Sequence, residues 1–290
     1  MKIYIFNDTM NIVHSGSDAV MRSIYDKLRG HEILGIHKVN EFRYDVGLFK
    51  DCDAVLVNGE GTIHHRSNAG NFLMATLRTA QQMNKKTFLI NALFQEKAPY
   101  YNDVLEKLNY FSVRDIISLE NARKCRGKPK LFLDLCADPM FRNSGVAKFE
   151  EEIVIGGAHW DTRKFSFPKM ISMKKLLLRF PYPKLYLDLP FEDVIATLKK
   201  CKLYVTGQHH GLYAAGLAGI PVVPLISNSN KIESLIEWSK LPIKICSTKR
   251  QIERSIKWSL SNPTVFKEFQ EFLFSQPVMG KSEVNYMLSQ

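Results

Sequence analysis

The sequence lacks the features that mark several large protein classes. No uninterrupted apolar run approaches the roughly 18 residues that a membrane-spanning helix needs. The first apolar stretch, residues 3–6, is too short for the apolar region of a signal peptide. We therefore expect a soluble, cytoplasmic protein with no transmembrane segment. Acidic residues are also scarce, because 29 Asp and Glu stand against 40 Lys and Arg and leave a formal charge of +11.

Cysteine is rare and shows no metal-site spacing. The chain has five cysteines, an odd number, and no Cys-x-x-Cys pair, so neither a disulfide framework nor a zinc site is predicted. His64 and His65 are adjacent, so their side chains diverge, and no cysteine or acidic residue lies at ligand spacing from them. We expect no metal ion.

Three familiar nucleotide and nucleophile motifs are missing. The sequence has no Gly-x-x-x-x-Gly-Lys-Ser/Thr run, which argues against a P-loop nucleotidase, and no Gly-x-Ser-x-Gly elbow. No Gly-x-Gly-x-x-Gly follows the first predicted strand, which argues against a dinucleotide oxidoreductase. We expect no resident cofactor.

What the chain does contain is a regular alternation of short apolar runs with segments of helical period, which is typical of β-α units around parallel sheets. The apolar runs predict strands at residues 2–6, 54–57, 87–90, 110–113, 131–133, 153–155, 185–187, 203–205, 222–225 and 243–245. A polar stretch at 142–148 indicates a linker. We predict two Rossmann-like doubly wound domains that face a central cleft. If the protein transfers a chemical group, the first domain, 1–145, would bind the acceptor. The second domain, 146–290, which carries C-terminal helices, would bind the donor.

The loop after the strand at 203–205 carries the richest signal, Gly-Gln-His-His-Gly. A glycine turn that opens a helix presents free backbone N–H groups and the positive end of the helix dipole, which suits a phosphate or carboxylate. We predict that the transfer donor binds here, with His210 pointing into the site. The other predicted contacts of this loop are Gly207, Gln208, His209 and Gly211.

The loops after two other predicted strands add polar groups. After the strand at 222–225, Asn and Ser side chains can cap a helix, Lys231 could meet a phosphate, and Glu233 could accept a hydrogen bond from a ribose or sugar hydroxyl. The residues predicted to bind the donor here are Asn228, Ser229, Asn230, Lys231 and Glu233, together with Gly157 and His159 after the strand at 153–155. The competing interpretation is a pair of ordinary helix starts.

In the first half, Glu60 lies between Gly59 and Gly61 after a predicted strand, which suits a general base. Asp18 is the second candidate for that role. The predicted acceptor-binding or anion-binding residues are Gly16, Ser17, Gly59, Gly61, His64 and Arg114. The competing interpretation is a tight turn with a solvated Glu60, a helix cap at Ser17 or Asp18, and an Arg114–Asp115 pair.

The order of these motifs resembles the polysaccharide pyruvyl transferase family over residues 2–237. The motifs that carry the resemblance are Ser-Gly-Ser-Asp-Ala at 15–19, Asn-Gly-Glu-Gly-Thr-Ile-His at 58–64, Ser-Val-Arg-Asp at 112–115, Asp-Pro at 138–139, Gly-Gln-His-His-Gly at 207–211 and Ala-Gly-Ile-Pro at 218–221. The resemblance implies a GT-B architecture and transfer of an enolpyruvyl-derived group to a sugar, with a basic site for phosphoenolpyruvate. Gln208 stands where the family usually has Arg, and a glutamine cannot neutralise a carboxylate or phosphate.

Three functional hypotheses follow. The first is a glycosyltransferase that moves a sugar from a nucleotide-sugar donor to a hydroxyl of a glycan or polyanionic acceptor, with modified DNA among the acceptors that the charge of +11 favours. The second is a pyruvyl transferase that uses phosphoenolpyruvate on a cell-surface glycan, with Arg114 and His210 at the donor. The third is a basic binding module without catalysis, against which the polar loops in both halves count.

Overall fold

The computed structural model describes residues 1–10, 12, 14–64, 67–95, 101–158, 177, 180–227 and 229–290. The chain has an α/β fold built on parallel sheets, as predicted. It divides into two compact units, and neither is a continuous stretch of sequence. The first comprises Met1–Ile12, Val20–Leu135 and Pro277–Gln290, and the second comprises Val13–Ala19 and Cys136–Gln276.

The sheet of the first unit has the strand order β2-β1-β3-β4-β5-β6, and all its pairs are parallel. Its strands are β1 (Lys2–Asp8), β2 (Glu32–Lys38), β3 (Ala54–Asn58), β4 (Lys86–Ala92), β5 (Tyr110–Val113) and β6 (Lys130–Leu131). The apolar runs predicted all of these except β2. This strand lies at the edge of the sheet, and only His37 in it is buried. Its short apolar run, residues 33–36, is interrupted by Gly35, and glycine is uncommon inside strands.

The sheet of the second unit is smaller, with β7 (Glu151–Ala158), β8 (Cys201–Gly207) and β9 (Val222–Pro224) paired in parallel in that order. The predicted strands at 185–187 and 243–245 are not formed. Single parallel bridges stand in their place, joining Lys184 to Ile155 and Cys246 to Leu225. Pro183 and Pro242 adjoin these segments, and a proline cannot donate a ladder hydrogen bond.

Some of the helices begin with side-chain caps that the sequence carries. The Asp115 carboxylate accepts a hydrogen bond from the Ser118 N–H at the start of one helix, and Thr248 and Gln251 form a capping box at another. The helices are α1 (Ser15–Lys27), α2 (Leu48–Asp51), α3 (Asn68–Gln82), α4 (Asn102–Glu106), α5 (Ile116–Lys124), α6 (Phe191–Leu198), α7 (His209–Ala218), α8 (Lys231–Ser239), α9 (Lys249–Ser261), α10 (Pro263–Ser275) and α11 (Lys281–Ser289).

Each unit has its own apolar core around its central strands. β3 is buried along its whole length, and so is β1 beyond Lys2, as expected for parallel strands covered on both faces. All five cysteines are free and buried. No helix in the described ranges is both long enough and apolar enough to cross a membrane.

Candidate functional site

In the second unit, the turn from β8 into α7 is built by close packing around glycines. A Cβ on Gly211 would lie 2.6 Å from Thr206 Oγ1, and a Cβ on Gly207 would lie 3.0 Å from Ala158 Cβ. Every residue of α7 is buried, and the helix ends at Gly219 with a left-handed backbone (φ +68°). The packing therefore fixes the start of α7 directly beyond the end of β8, where the first N–H groups of the helix lack partners inside it.

Gln208 is the N-cap residue of α7, and its side chain reaches the neighbouring strand. Its Oε1 accepts a hydrogen bond from the Gly157 N–H at 3.1 Å, and a Cβ on Gly157 would lie 2.9 Å from this side chain. The Gln208 N–H donates to Thr206 Oγ1 at 3.1 Å. The amide therefore joins the carboxyl ends of β7 and β8, and this contact brings no charge to the turn.

His210 lies in the first turn of α7 and is only 5% exposed. Its ring lies against Gly16 in the first turn of α1, where an added Cβ would come within 2.1 Å of the ring carbon Cγ. The centroid of the His14 ring is 5.1 Å away, with the ring planes at 65°. The first turns of α1 and α7 thus meet at His210, and glycine at position 16 is what allows the approach.

The loop after β9 leads into α8 through Ser229 and Asn230. Ser229 is fully buried, and Lys231 is 8% exposed although it occupies the first position of the helix. The helix dipole destabilises the positive charge of Lys231 in the first turn, whereas it stabilises the negative charge of Glu233 two positions later. Because β9 pairs in parallel with β8, this loop leaves the same edge of the sheet as the β8–α7 turn.

In the first unit, Glu60 begins a short 3-10 helix directly after β3 and is buried. Its Oε2 accepts a hydrogen bond from Thr9 Oγ1 at 2.6 Å and another from Asn58 Nδ2 at 3.4 Å. Gly59 is required here, because a Cβ would lie 2.5 Å from Ala92 Cβ. The carboxylate is therefore held in one orientation and is not the solvated side chain of an ordinary turn, the competing interpretation of the sequence.

Arg114 follows β5 and is 1% exposed. Its Nη1 forms an ion pair with the Asp134 carboxylate, which is also fully buried. The Asp115 carboxylate instead caps α5, where it accepts hydrogen bonds from the Ser118 N–H and Oγ, both at 2.8 Å. Gly61 borders the guanidinium, since a Cβ there would lie 3.8 Å from Nη2. The charge of Arg114 is thus balanced inside its own unit.

The structure groups the predicted site residues within each unit. In the second unit it brings Gly16 to His210 and Gly157 to Gln208, and the Ser17 N–H donates to His14 Nδ1 at 3.4 Å. It places Ser229, Asn230, Lys231 and Glu233 at the next strand end. Asp18, half-buried in the first turn of α1, also belongs to this unit. In the first unit Gly59, Glu60 and Gly61 lie together with Arg114, and His64 is half-buried two residues after the 3-10 helix. Asn228 and His159 lie outside the described residues.

Sequence reasoning missed several contributors. His14 directly precedes the motif at 15–19 but received no role, Thr9 follows β1 outside any motif, and Asp134 follows a strand of two residues. Asn7 Nδ2 donates to the Asn58 carbonyl at 2.6 Å, and Asn7 and Asn91 both have left-handed backbones, with φ of 63° and 53°. The available signal was the amino-acid type, because asparagine tolerates this conformation better than other residues with a side chain. Each of the two is the next-to-last residue of a buried strand.

Comparisons with known proteins agree with this architecture. The family model described as polysaccharide pyruvyl transferase matches residues 9–230. No curated protein is significantly similar in sequence. The fold resembles that of the UDP-GlcNAc 2-epimerase from Neisseria meningitidis bound to UDP-GlcNAc, with a TM-score of 0.61, 11% identity and 100% coverage of both chains.

Two further solved structures have the same GT-B-like fold. Anabaena Alr3699/HepE in complex with UDP-glucose aligns with a TM-score of 0.56 and 10% identity, covering 100% of this chain and 98% of that one. The UDP-GlcNAc 2-epimerase from Methanocaldococcus jannaschii aligns with a TM-score of 0.51 and 11% identity, covering 94% and 99%. At this level of identity the likeness concerns the fold alone.

Proposed function

Because this chain belongs to the polysaccharide pyruvyl transferase family and is therefore a glycan-modifying transferase, we propose that it moves a sugar from a nucleotide-sugar donor to a glycan hydroxyl. The donor diphosphate would bind at the strand ends of the second unit. The acceptor hydroxyl would be deprotonated by Glu60 of the first unit.

The observation that carries the choice of donor is Gln208. Phosphoenolpyruvate combines a carboxylate and a phosphate on three carbons, so its recognition calls for guanidinium groups that bind such anions in pairs. Position 208 supplies a neutral amide whose oxygen already accepts the Gly157 N–H. The other arginine of the pyruvyl hypothesis, Arg114, is buried in an ion pair with Asp134.

A diphosphate needs less localised charge, because backbone N–H groups at helix starts can hold it. Two such starts, those of α7 and α8, follow adjacent parallel strands. His210 and Lys231 lie in their first turns and would add a hydrogen bond and a charge. The structures of the same fold that contain UDP-GlcNAc or UDP-glucose support this choice.

The proposed base is Glu60, because its carboxylate is already fixed by Thr9 and Asn58. A general base must hold one geometry relative to the proton that it removes, and such catalysis supplies roughly 100-fold to 10,000-fold in rate. Asp18 is the second candidate. It lies in the first turn of α1 beside Ser17.

The family's name favours the alternative function, in which the enzyme transfers a pyruvyl group from phosphoenolpyruvate to the glycan. That function would use His210 and Lys231 against the phosphate, without an arginine at position 208. We keep it as the second candidate, and one experiment separates the two.

The experiment is a thermal-unfolding panel with UDP, GDP, CMP and phosphoenolpyruvate on the wild type and on Gln208→Arg. A ligand that binds only the folded state, and is present at a concentration about 100 times its Kd, adds roughly 2.7 kcal/mol to the free energy of unfolding. We expect one nucleotide to raise the Tm of the wild type, and phosphoenolpyruvate to do so only in Gln208→Arg. Stabilisation of the wild type by phosphoenolpyruvate alone would reverse the proposal.

We propose an anionic glycan as the acceptor, because the net charge of +11 attracts polyanions. Duplex DNA is the alternative polyanion. Its affinity should fall steeply with salt, since each neutralised phosphate releases counterions. A flat salt response, or no binding at low salt, removes DNA as an acceptor and leaves the glycan.

A further inference from the structure

A cavity of about 400 Å³ lies in the second unit beside α9. Its volume falls within the range of roughly 300–1,000 Å³ that small-molecule sites occupy. The residues that line it are Lys244, Ile245, Cys246, Gln251, Arg254, Ser255 and Trp258. None of them belongs to the strand-end loops at which we place the sugar donor.

The walls of this cavity are held by the core of the unit. The Cys246 N–H donates to the Pro224 carbonyl at 2.9 Å, and the Ile226 N–H donates to the Cys246 carbonyl at 3.1 Å, so one wall continues the sheet beyond β9. The other wall is α9, which is anchored by buried Ile252 and Ile256. Cys246 Sγ and Ser255 Oγ, 3.1 Å apart, join the two walls.

The lining combines an aromatic ring with two cations. The Trp258 indole is half-buried and forms a T-shaped pair with the Phe266 ring, with centroids 6.2 Å apart and planes at 72°. Lys244 and Arg254 are exposed, and among the described residues neither forms an ion pair with a carboxylate. An indole stacks on the apolar C–H face of a pyranose ring, and a guanidinium binds a carboxylate or phosphate through paired hydrogen bonds.

Positive charge continues along the exposed side of α9 beyond the cavity. Lys249, Arg250 and Lys257 are all exposed there. The acidic residue of this helix, Glu253, forms an ion pair with Lys249, with 3.6 Å between Nζ and Oε1. A ligand that extends from the cavity would therefore meet further cations, which favours a polymer with repeated negative charges over a single small anion.

We propose that this cavity binds one acidic sugar of an anionic glycan chain, with the chain continuing over the basic side of α9. The inference deepens the proposed function and rests on it, since it gives a glycan-modifying enzyme a second contact with its glycan. A uronic acid carboxylate and a sugar phosphate share the required chemistry, and the experiment tells them apart.

The test is isothermal titration of the 290-residue chain with a short oligogalacturonate and, separately, with an oligosaccharide that carries mannose 6-phosphate. The variant K244Q/R254Q removes two cations from the lining, and the matched control K249Q/K257Q removes two from the same surface outside it. We expect the first to weaken binding of the preferred oligomer roughly tenfold or more, because charge-assisted hydrogen bonds are lost. The control should weaken it less than about threefold.

The methyl-esterified oligogalacturonate keeps the sugar rings without their charge and should bind at least about tenfold more weakly than the free acid. Equal weakening by the two double variants would reduce the site to a diffuse charged surface and overturn the proposal. So would equal binding of ester and acid, no binding of either anionic oligomer, or tighter binding of duplex DNA with the same sensitivity to K244Q/R254Q.

UDP-induced thermal stabilisation, measured on the same variants, separates this inference from the proposed function. We expect K244Q/R254Q to keep the full effect of UDP, because neither residue lies at the strand-end loops. If none of UDP, GDP and CMP stabilises any variant while oligogalacturonate still binds the cavity, the donor assignment fails and the glycan site stands. If UDP stabilises all variants and neither oligomer binds, the reverse holds.

Discussion

The two units treat charge at their strand ends differently. In the first, Arg114 is buried against Asp134, and the Glu60 carboxylate accepts hydrogen bonds from Thr9 and Asn58. In the second, the strand ends offer glycine backbone, a neutral Gln208, and His210 in the first turn of a helix. The first arrangement orients side chains, whereas our proposal assigns the second to the negative charge of a ligand. A buried charge that already has its partner is better suited to holding shape than to binding an anion.

The sharpest way to break this comparison is to remove Arg114. Arg114→Met leaves the buried Asp134 carboxylate without its guanidinium, and breaking a buried pair costs about 3–5 kcal/mol of the free energy of unfolding. Arg78→Met is the matched control, since the Arg78–Asp103 pair is largely exposed, and it should cost under about 1 kcal/mol. Urea unfolding measures both. If both variants lose the same small free energy of unfolding, the ion pair does not stabilise the fold. Arg114 would then be available to bind a ligand, as the pyruvyl hypothesis requires.

Next in size is Glu60→Gln, which keeps the shape of the side chain and removes its charge. If Glu60 is the base, we expect turnover to fall roughly 100-fold or more while the donor's Kd stays nearly unchanged. His210→Ala should do the opposite and mainly raise that Kd. Single-turnover rates beside isothermal titration distinguish the two effects. Normal turnover in Glu60→Gln would move the role of the base to Asp18.

A pair of glycine substitutions compares the units directly. Gly16→Ala places a methyl group 2.1 Å from the His210 ring, so the ring or the helix must shift, at a cost of about 1–3 kcal/mol, and donor binding should weaken. Without this clash, alanine would stabilise a helix by up to about 1 kcal/mol, so the sign of the change is informative. Gly61→Ala, whose Cβ has 3.8 Å to the nearest side-chain atom, should be nearly neutral. Thermal unfolding and titration with UDP measure both variants, and a stabilised Gly16→Ala would disprove the contact.

The smallest effect concerns the C-terminal helix of the first unit. Tyr110 Oη and Lys130 Nζ both donate to Glu283 Oε1 at 2.7 Å. Burial alone would raise the pKa of Glu283, but the hydrogen bonds from Lys130 and Tyr110 outweigh it and leave the pKa below its usual 4.5. Burial first, and then the hydrogen bond to Glu283, raise the pKa of Tyr110 above its usual 10.0.

The two pKa shifts predict that the cluster of Tyr110, Lys130 and Glu283 loses stability at both acid and alkaline pH. A lowered carboxyl pKa gives stability that is present above about pH 4.5 and is lost as the pH falls through the folded value. A raised phenol pKa gives stability that is present below about pH 10 and declines above it. The contribution of Glu283 should be under about 1 kcal/mol because Lys130 and Glu283 are partly exposed. Tyr110→Phe should flatten the alkaline decline in a series of urea unfolding curves, and an unchanged decline would assign it elsewhere.

Local patterns in the chain were enough to predict the α/β alternation, most of the strands, the free cysteines and the family. A continuous apolar run is sufficient to identify a parallel strand that is covered on both faces, and β3, β4 and β5 follow that rule. The edge strand β2 was missed because Gly35 interrupts its short apolar run and glycine is uncommon inside strands.

Partnerships between distant residues came from the tertiary structure. Nothing in the spacing of the sequence pairs Gly16 with His210, Gln208 with Gly157, or Arg114 with Asp134. Parallel strands bring their carboxyl ends to one edge of a sheet whatever their order in the chain, so the residues that meet there are set by strand order and not by sequence separation. The contact of Gly16 with His210 further depends on the first turn of α1 belonging to the second unit. Periodicity records whether a residue is buried, whereas the choice of its partner depends on how the whole chain packs.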